Sequence, residues 1–349
     1  MKLRYSVLLP LLAVVMSGCG GGGGGGSDSA ATGIKVEAVA TGLSFPVGVA
    51  AAPDGRTFFT ELRSGNVRIF QDGAVLNEPF ATLQVPAEGA DGLLGIAVDP
   101  DFASNGFVYV FQSIGNPVKN RVIRLTDSHG VGTALTVIVN DLPNGGHNGG
   151  KMAFGHDGSL FISTGDAAAP DSAQDPRSFA GKILHVSRNG EALSSSSPIF
   201  ALGFRNVFGM AVHPDSGTLY ATDNGPDCDD EINRIEAGGN YGWRLSQPCG
   251  ETDPQFVQPL FRINPTVGVT GATFYSGDAL PELRENLLVG DYNTGTIRRF
   301  EVDDPSGGVN ELAPLVPGNG SPVLDLTVGA DGNVYFTGQD ALYRISRAD

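Results

Sequence analysis

Short alternating runs of apolar residues recur along this chain, each broken by a Pro/Asp/Gly turn and followed by a run rich in Phe, Tyr, Val and Leu. The unit reads "VGVAAAPDGRTFFTEL", then "LGIAVDPDFASNGFVYVFQ", "KMAFGHDGSLFISTGD", "FGMAVHPDSGTLYATDNG", "GATFYSGDALPELRENLLVGD" and "LDLTVGADGNVYFTGQ". A period of two over several residues predicts a strand, and a turn of this composition supplies the positive φ that a tight hairpin needs. The turn aspartates Asp54, Asp101, Asp157, Asp215, Asp278 and Asp331 follow one another at 47 to 63 residues. Between the hairpins there is room for one or two more strands, as in "GNVRIFQDG" and "GTIRRFEVDD". Six such units predict an all-β fold, a six-bladed β-propeller of four-stranded antiparallel blades. The period is long for a propeller and predicts extended loops over one face. The stretch "IKVEAVATGL" is expected to add its strand to the sheet of "NVYFTGQDALYRIS". That pairing would close the ring and leave no open edge.

The first residues break the pattern. "MKLRYSVLLPLLAVVMSGCG" has a basic start at Lys2 and Arg4, an apolar run from Val7 to Met16, and small residues ahead of Cys19. This is a secretory leader, with residues 1–18 as the signal peptide; the run is shorter than the roughly 20 residues a membrane span needs. "MSGC" is similar to a bacterial lipobox, which makes Cys19 a lipidation site; cleavage as an ordinary signal peptide is the alternative. Gly20 to Gly26 and "SDSAAT" form a tether without side chains to bury, so residues 19–32 link the leader to one domain at 33–349. These features place the chain in a bacterial cell envelope, exported and touching a membrane only through the N-terminal lipid. Gly at 50 and Pro at 22 of 349 residues suit a fold of strands and turns. A formal charge of −16 speaks against an extended nucleic-acid contact, because phosphates would be repelled. It suits cations and neutral substrates.

Charge is densest in "NGPDCDDEINRIEAGGNYGW", residues 224–243, where five carboxylates repel one another unless a cation sits among them. Cys228 and Cys249 are the two cysteines beyond the leader, and in an oxidising compartment such a pair most simply forms a disulfide. The stretch "GPDCDDEINRIEAGGNYGW" resembles a segment of the soluble aldose dehydrogenases that use pyrroloquinoline quinone (PQQ) and calcium, the glucose/sorbosone dehydrogenase-like propellers. "HNGGKMAF", "STGD", "AQDPRSFAGKIL" and "GFRNVFGM" match other pieces of that family in the same order. The resemblance covers roughly residues 34 to 346.

The resemblance implies Ca²⁺ held by the carbonyls of Gly225 and Pro226, and a second, structural calcium position using Glu231 and the carbonyl of Tyr241; a hard cation takes oxygen ligands. It implies that His147 is the general base, with Asp166 fixing its tautomer, in the oxidation of an aldose or related compound to a lactone or acid. Hydride then passes to the quinone, and a separate electron acceptor, not identified, takes the electrons onward. Arg205, Asn206, Asn224 and Lys151 would face the cofactor, the guanidinium pairing one of its three carboxylates. Trp243 reads as packing at the end of the loop. The chain departs from the family where an Arg-x-Arg-Asp segment is expected: "SPVLDLTVGADG" keeps Asp325 and neither arginine. Asn293 stands where a lysine is expected, and three alanines follow Asp166. Lys151 or Arg298 would have to compensate. The alternative functions are a non-catalytic calcium-binding propeller that takes a glycan or protein at its mouth, and a metal-dependent lactonase.

Overall fold

In the first repeat, Pro46–Ala51, Thr57–Glu61 and Asn66–Gln71 pair antiparallel, with the short Ala74–Val75 and Ala81–Thr82 along the outer strand. The structure is a computed structural model describing residues 33–348, apart from 87–88, 195–196, 245, 247 and 305–306. The signal peptide, Cys19 and the glycine tether lie outside the described residues. The second blade is Leu93–Val98, Phe107–Ile114, Lys119–Ser128 and Val131–Leu142. The third is Gly149–Phe154, Leu160–Thr164, Lys182–Val186 and Ile199–Leu202. Val207–Val212, Leu219–Asp223, Asp230–Ile235 and Phe261–Ile263 make the fourth, and Val269–Phe274, Leu287–Asp291, Ile297–Asp303 and Gly308–Val316 the fifth. The sixth takes Asp325–Val328, Val334–Thr337 and Ala341–Arg347 from the C-terminal end and Ile34–Thr41 from the N-terminal end. Ile34 pairs with Arg347 and Thr41 with Ala341, so the ring closes as the sequence predicts.

The core is a series of slabs between neighbouring blades. Phe58, Ile69 and Ile96 fill the seam between the first and second, Tyr109, Met152 and Ile162 the next, and so around the ring to Phe59, Tyr335 and Leu342 between the sixth and first. A second strand therefore has apolar neighbours on both faces, which is why "LFIST" and "LYATD" are buried at every position. Hydroxyls in this layer stitch one blade to the next. Thr60 donates to Leu94 O at 2.8 Å, Ser163 to Val207 O at 2.9 Å, Thr222 to Thr270 O at 3.0 Å and Thr337 to Val47 O at 3.2 Å.

Along the axis, the strand registers bring Gly48, Gly95, Lys151, Gly209, Gly271 and Asp325 to one level. Glycine is required there by close approach: a Cβ on Gly95 would lie 2.0 Å from Gly150 O, and one on Gly271 2.3 Å from Asp325 Oδ1. The space so left lets Lys151 of the third blade meet Asp325 of the sixth, directly across the ring. Asp325 also accepts Val49 N–H at 2.9 Å. Below this ion pair lies an axial cavity of about 240 Å³; above it, at the end carrying the long loops, is the mouth.

Candidate active site and cation cavity

His147 stands just ahead of the innermost strand of the third blade, and Asp166 just beyond the second strand, so the hairpin returns both to the mouth end. His147 Nδ1 lies 2.7 Å from Asp166 Oδ1. An ionised carboxylate only accepts, so the proton is on Nδ1 and the lone pair of Nε2 is free. Asp166 is fully buried, while about a quarter of the His147 side chain is open to solvent, at 26%. Burial pulls the Asp166 carboxyl upward, but hydrogen bonds from His147 and Trp243 outweigh it and leave it below the ordinary carboxylate range. Two of the alanines after it have a local use. Ala167 and Ala168 adopt φ of 54° and 59°, which turns Ala167 N–H to His147 O at 3.0 Å and Ala168 N–H to Asp166 Oδ1 at 2.8 Å.

Trp243 is not mere packing. Its Nε1 donates to Asp166 Oδ2 at 2.8 Å, and the guanidinium of Arg205 lies 5.6 Å from the ring centroid. Arg205 makes no ion pair with the acids at 227–231 among the described contacts; its Nη1 donates to Asn224 O at 3.2 Å. Asn206 joins the neighbouring blades, its Nδ2 donating to Asn224 Oδ1 at 2.9 Å and its Oδ1 accepting Gly149 N–H at 3.1 Å.

The five acids of the dense stretch disperse. Asp227 and Glu236 are exposed. Asp230 is consumed by backbone donors, taking Gly225 N–H at 2.9 Å, Val267 N–H at 2.6 Å and Gly268 N–H at 2.7 Å. Asp229 takes Asn264 Nδ2 at 2.6 Å and the N–H of Gly250, beside the Cys228–Cys249 disulfide. Glu231 remains. It faces a cavity of about 20 Å³ with Asp223, Gly225, Pro226, Tyr241 and Trp243 in its wall. Burial, with the negative charge of Asp223 added, pushes Glu231 up to about 8; burial pushes Asp223 up to about 6 against the backbone N–H groups of Arg205 and Asn206. Among the described residues no three His, Cys, Asp or Glu side chains converge as a metal cage. A cation placed here would need peptide oxygens to complete its shell. Gly225 lets them crowd together, since a Cβ there would lie 1.8 Å from Cys228 O. Three buried acids, Asp223, Asp229 and Glu231, and the Asn224 amide line this cavity, with Arg205 as a basic neighbour in the same wall. Room for about one water-sized body among these oxygens fits Ca²⁺.

The mouth itself is a cavity of about 280 Å³ with apolar walls (Val47, Leu94, Phe208, Leu324) and amides at Asn206, Asn224 and Asn293. Asn224 belongs to both cavities, so they adjoin. Leu324 makes wall precisely where the departing Arg-x-Arg-Asp segment lacks its basic residue. Lys151 is already matched by Asp325 at the floor, and Arg298 is matched by Glu311 at 2.5 Å and Asp291 at 3.6 Å. A flat, partly aromatic ligand fits the walls; Arg205 lies in the wall of the adjoining small cavity, next to Asn224.

Sequence reasoning missed Asp223 as a wall of the cation cavity and Gln174 as the clamp on Asn240 Oδ1 and Trp243 O, at 3.1 and 3.0 Å. The first had a signal: Glu61, Gln112, Asp223 and Asp291 each pair with the first residue of an innermost strand, a polar position repeated from blade to blade.

Fold and site together define a propeller with a histidine–aspartate dyad and a small acidic cavity at one mouth. The chain belongs to the glucose/sorbosone dehydrogenase family, whose model matches residues 43–347. It is 28% identical over 332 residues to the aldose sugar dehydrogenase of Escherichia coli, covering 86% of this chain and 89% of that protein. The crystal structure of that enzyme's soluble apo-form superposes with a TM-score of 0.82 at 28% identity, over 90% of this chain and 100% of the other. The PQQ-bound form of aldose sugar dehydrogenase from Streptomyces coelicolor gives a TM-score of 0.78 at 25% identity, covering 92% and 100%.

Proposed function

We propose that the protein oxidises aldose sugars, or related hydroxy or aldehyde compounds, to lactones or acids with PQQ and Ca²⁺. The observation that carries this reading is the Nδ1 bond of His147 to buried Asp166, which leaves Nε2 as a proton acceptor at the mouth end of the third blade, beside rather than in the wall of the apolar cavity. In this reading His147 takes the substrate hydroxyl proton and Asp166 holds the resulting imidazolium. The quinone, when bound, accepts the two electrons. Arg205, Asn206 and Asn224 would hold it, and Lys151 would add charge from below only by leaving Asp325. Gly225, Pro226, Glu231 and Tyr241 would hold calcium. The lactonase reading loses support at the axis, where the ammonium of Lys151 stands in place of a cation cage. The leader and tether support export to the cell envelope with a lipid on Cys19, and likeness to aldose sugar dehydrogenases supports small sugars as substrate, with a separate electron acceptor taking the electrons onward.

The second reading is a calcium-holding propeller that binds a glycan or protein. It is favoured by one observation: Lys151 and Arg298 are both already paired with acids. Each missing charge-assisted contact to the quinone is worth roughly 1.5–3 kcal/mol. Calorimetry separates the two. The dehydrogenase takes up PQQ in the presence of Ca²⁺ and reduces a dye when given aldoses, and His147→Ala lowers kcat by about 10²–10⁴-fold. Calcium uptake without any quinone uptake leaves the binding module.

A further inference from the structure

The indole of Trp243 stands between the two halves of the site. It forms one wall of the cavity that Glu231, Gly225 and Tyr241 also line, and it is a donor to Asp166 Oδ2. The backbone on either side is pinned: Trp243 N–H donates to Gly203 O at 3.0 Å, and its carbonyl accepts Gln174 Nε2 at 3.0 Å. With the main chain held, a change in the cavity wall is taken up by the indole ring. The buried carboxylate of Asp166 is then shared differently between the indole and His147.

We infer that Trp243 is the positioning residue through which filling of the cation cavity sets the His147–Asp166 hydrogen bond. This rests on reading the cavity as a cation site and His147 as the base. The indole donor and the imidazole compete for one carboxylate, so loss of the indole N–H strengthens the pull of Asp166 on Nδ1. Arg205 over the indole and Asp223 beyond it are charged neighbours of the dyad. Arg205 is the nearby positive charge, and Asp223 gains a cation neighbour when the cavity fills.

Trp243 is the chain's single tryptophan, so intrinsic fluorescence reads this position alone. The test titrates the chelator-stripped protein with calcium chloride. It follows calorimetric heat, Trp243 emission and the ¹⁵N shifts of the His147 imidazole. Emission and imidazole shifts are expected to move with the same midpoint as the heat. In Trp243→Phe, calcium binds within about threefold of the parent Kd, and the His147 signals no longer follow it. Calcium heat with a silent Trp243, or His147 signals that still follow calcium in Trp243→Phe, overturns the inference alone. Absence of heat overturns the cation reading and the inference with it. Intact coupling without any aldose-dependent dye reduction overturns only the redox reading. If Trp243→Phe does not fold, the parent titration still decides, since emission and imidazole shifts are both read on it.

Discussion

Asp166 shows how one buried side chain ties stability to chemistry. Its carboxyl is held below the ordinary range because donors from His147 and Trp243 outweigh the effect of burial. A depressed folded-state value adds stability above the unfolded carboxylate value of about 3.9, and that stability is lost as pH falls through the folded value. Asp166→Asn is therefore expected to flatten the loss of thermal stability below about pH 4 in melts run from pH 3 to 7. The same change removes the acceptor that fixes the imidazole tautomer, so kcat should fall by at least about 10²-fold. The residues of the dyad were legible from the glycine-flanked "HNGG" and from "STGD". The partner at Trp243 was not. It lies 77 residues from Asp166 and on another blade's loop, and nothing in "GGNYGW" says which way the indole turns.

At the scale of elements, the strands that read most clearly were those with the strongest burial constraint. Inner strands and both-faces-buried second strands carry continuous or alternating apolar runs, and the repeat of hairpin turns marks them. Outer strands read poorly because one edge and much of one face meet water. Val131–Leu142 is mostly exposed and slips register three times against its neighbour, and Gly308–Val316 has a single fully buried residue, Leu315. The tightest element contact was equally hidden: a glycine in a strand signals close approach without naming the neighbour. Gly95→Ala tests that contact. Its Cβ would meet the backbone oxygen of Gly150, which cannot rotate away, and overpacking of this kind costs about 1–3 kcal/mol. The melting temperature should drop by roughly 2–4 °C per kcal/mol, read by calorimetry against the parent protein.

The whole molecule is a ring held from blade to blade by hydroxyl stitches onto the innermost strands and across its axis by an ion pair. Removing only one partner of a buried pair costs about 3–5 kcal/mol, whereas replacing both with apolar groups is often neutral. Lys151→Met should thus be strongly destabilising in denaturant melts, and Lys151→Met with Asp325→Leu should recover most of the loss. Equal destabilisation by single and double variants would mean that the pair does not act as a unit. Ring closure was predictable because the N-terminal strand lacks any other partner in the repeat, but the cross-axis pair needed the register of two blades on opposite sides. Closure also gives the molecule a direction. Ile34 begins its strand beside Arg347, whose guanidinium reaches Glu282 on the face away from the mouth, and the same strand climbs to Thr41, a few residues before Phe45 in the mouth wall. The polypeptide therefore enters the ring from its underside, and the strand that seals the circle delivers the chain to the opposite, open bowl.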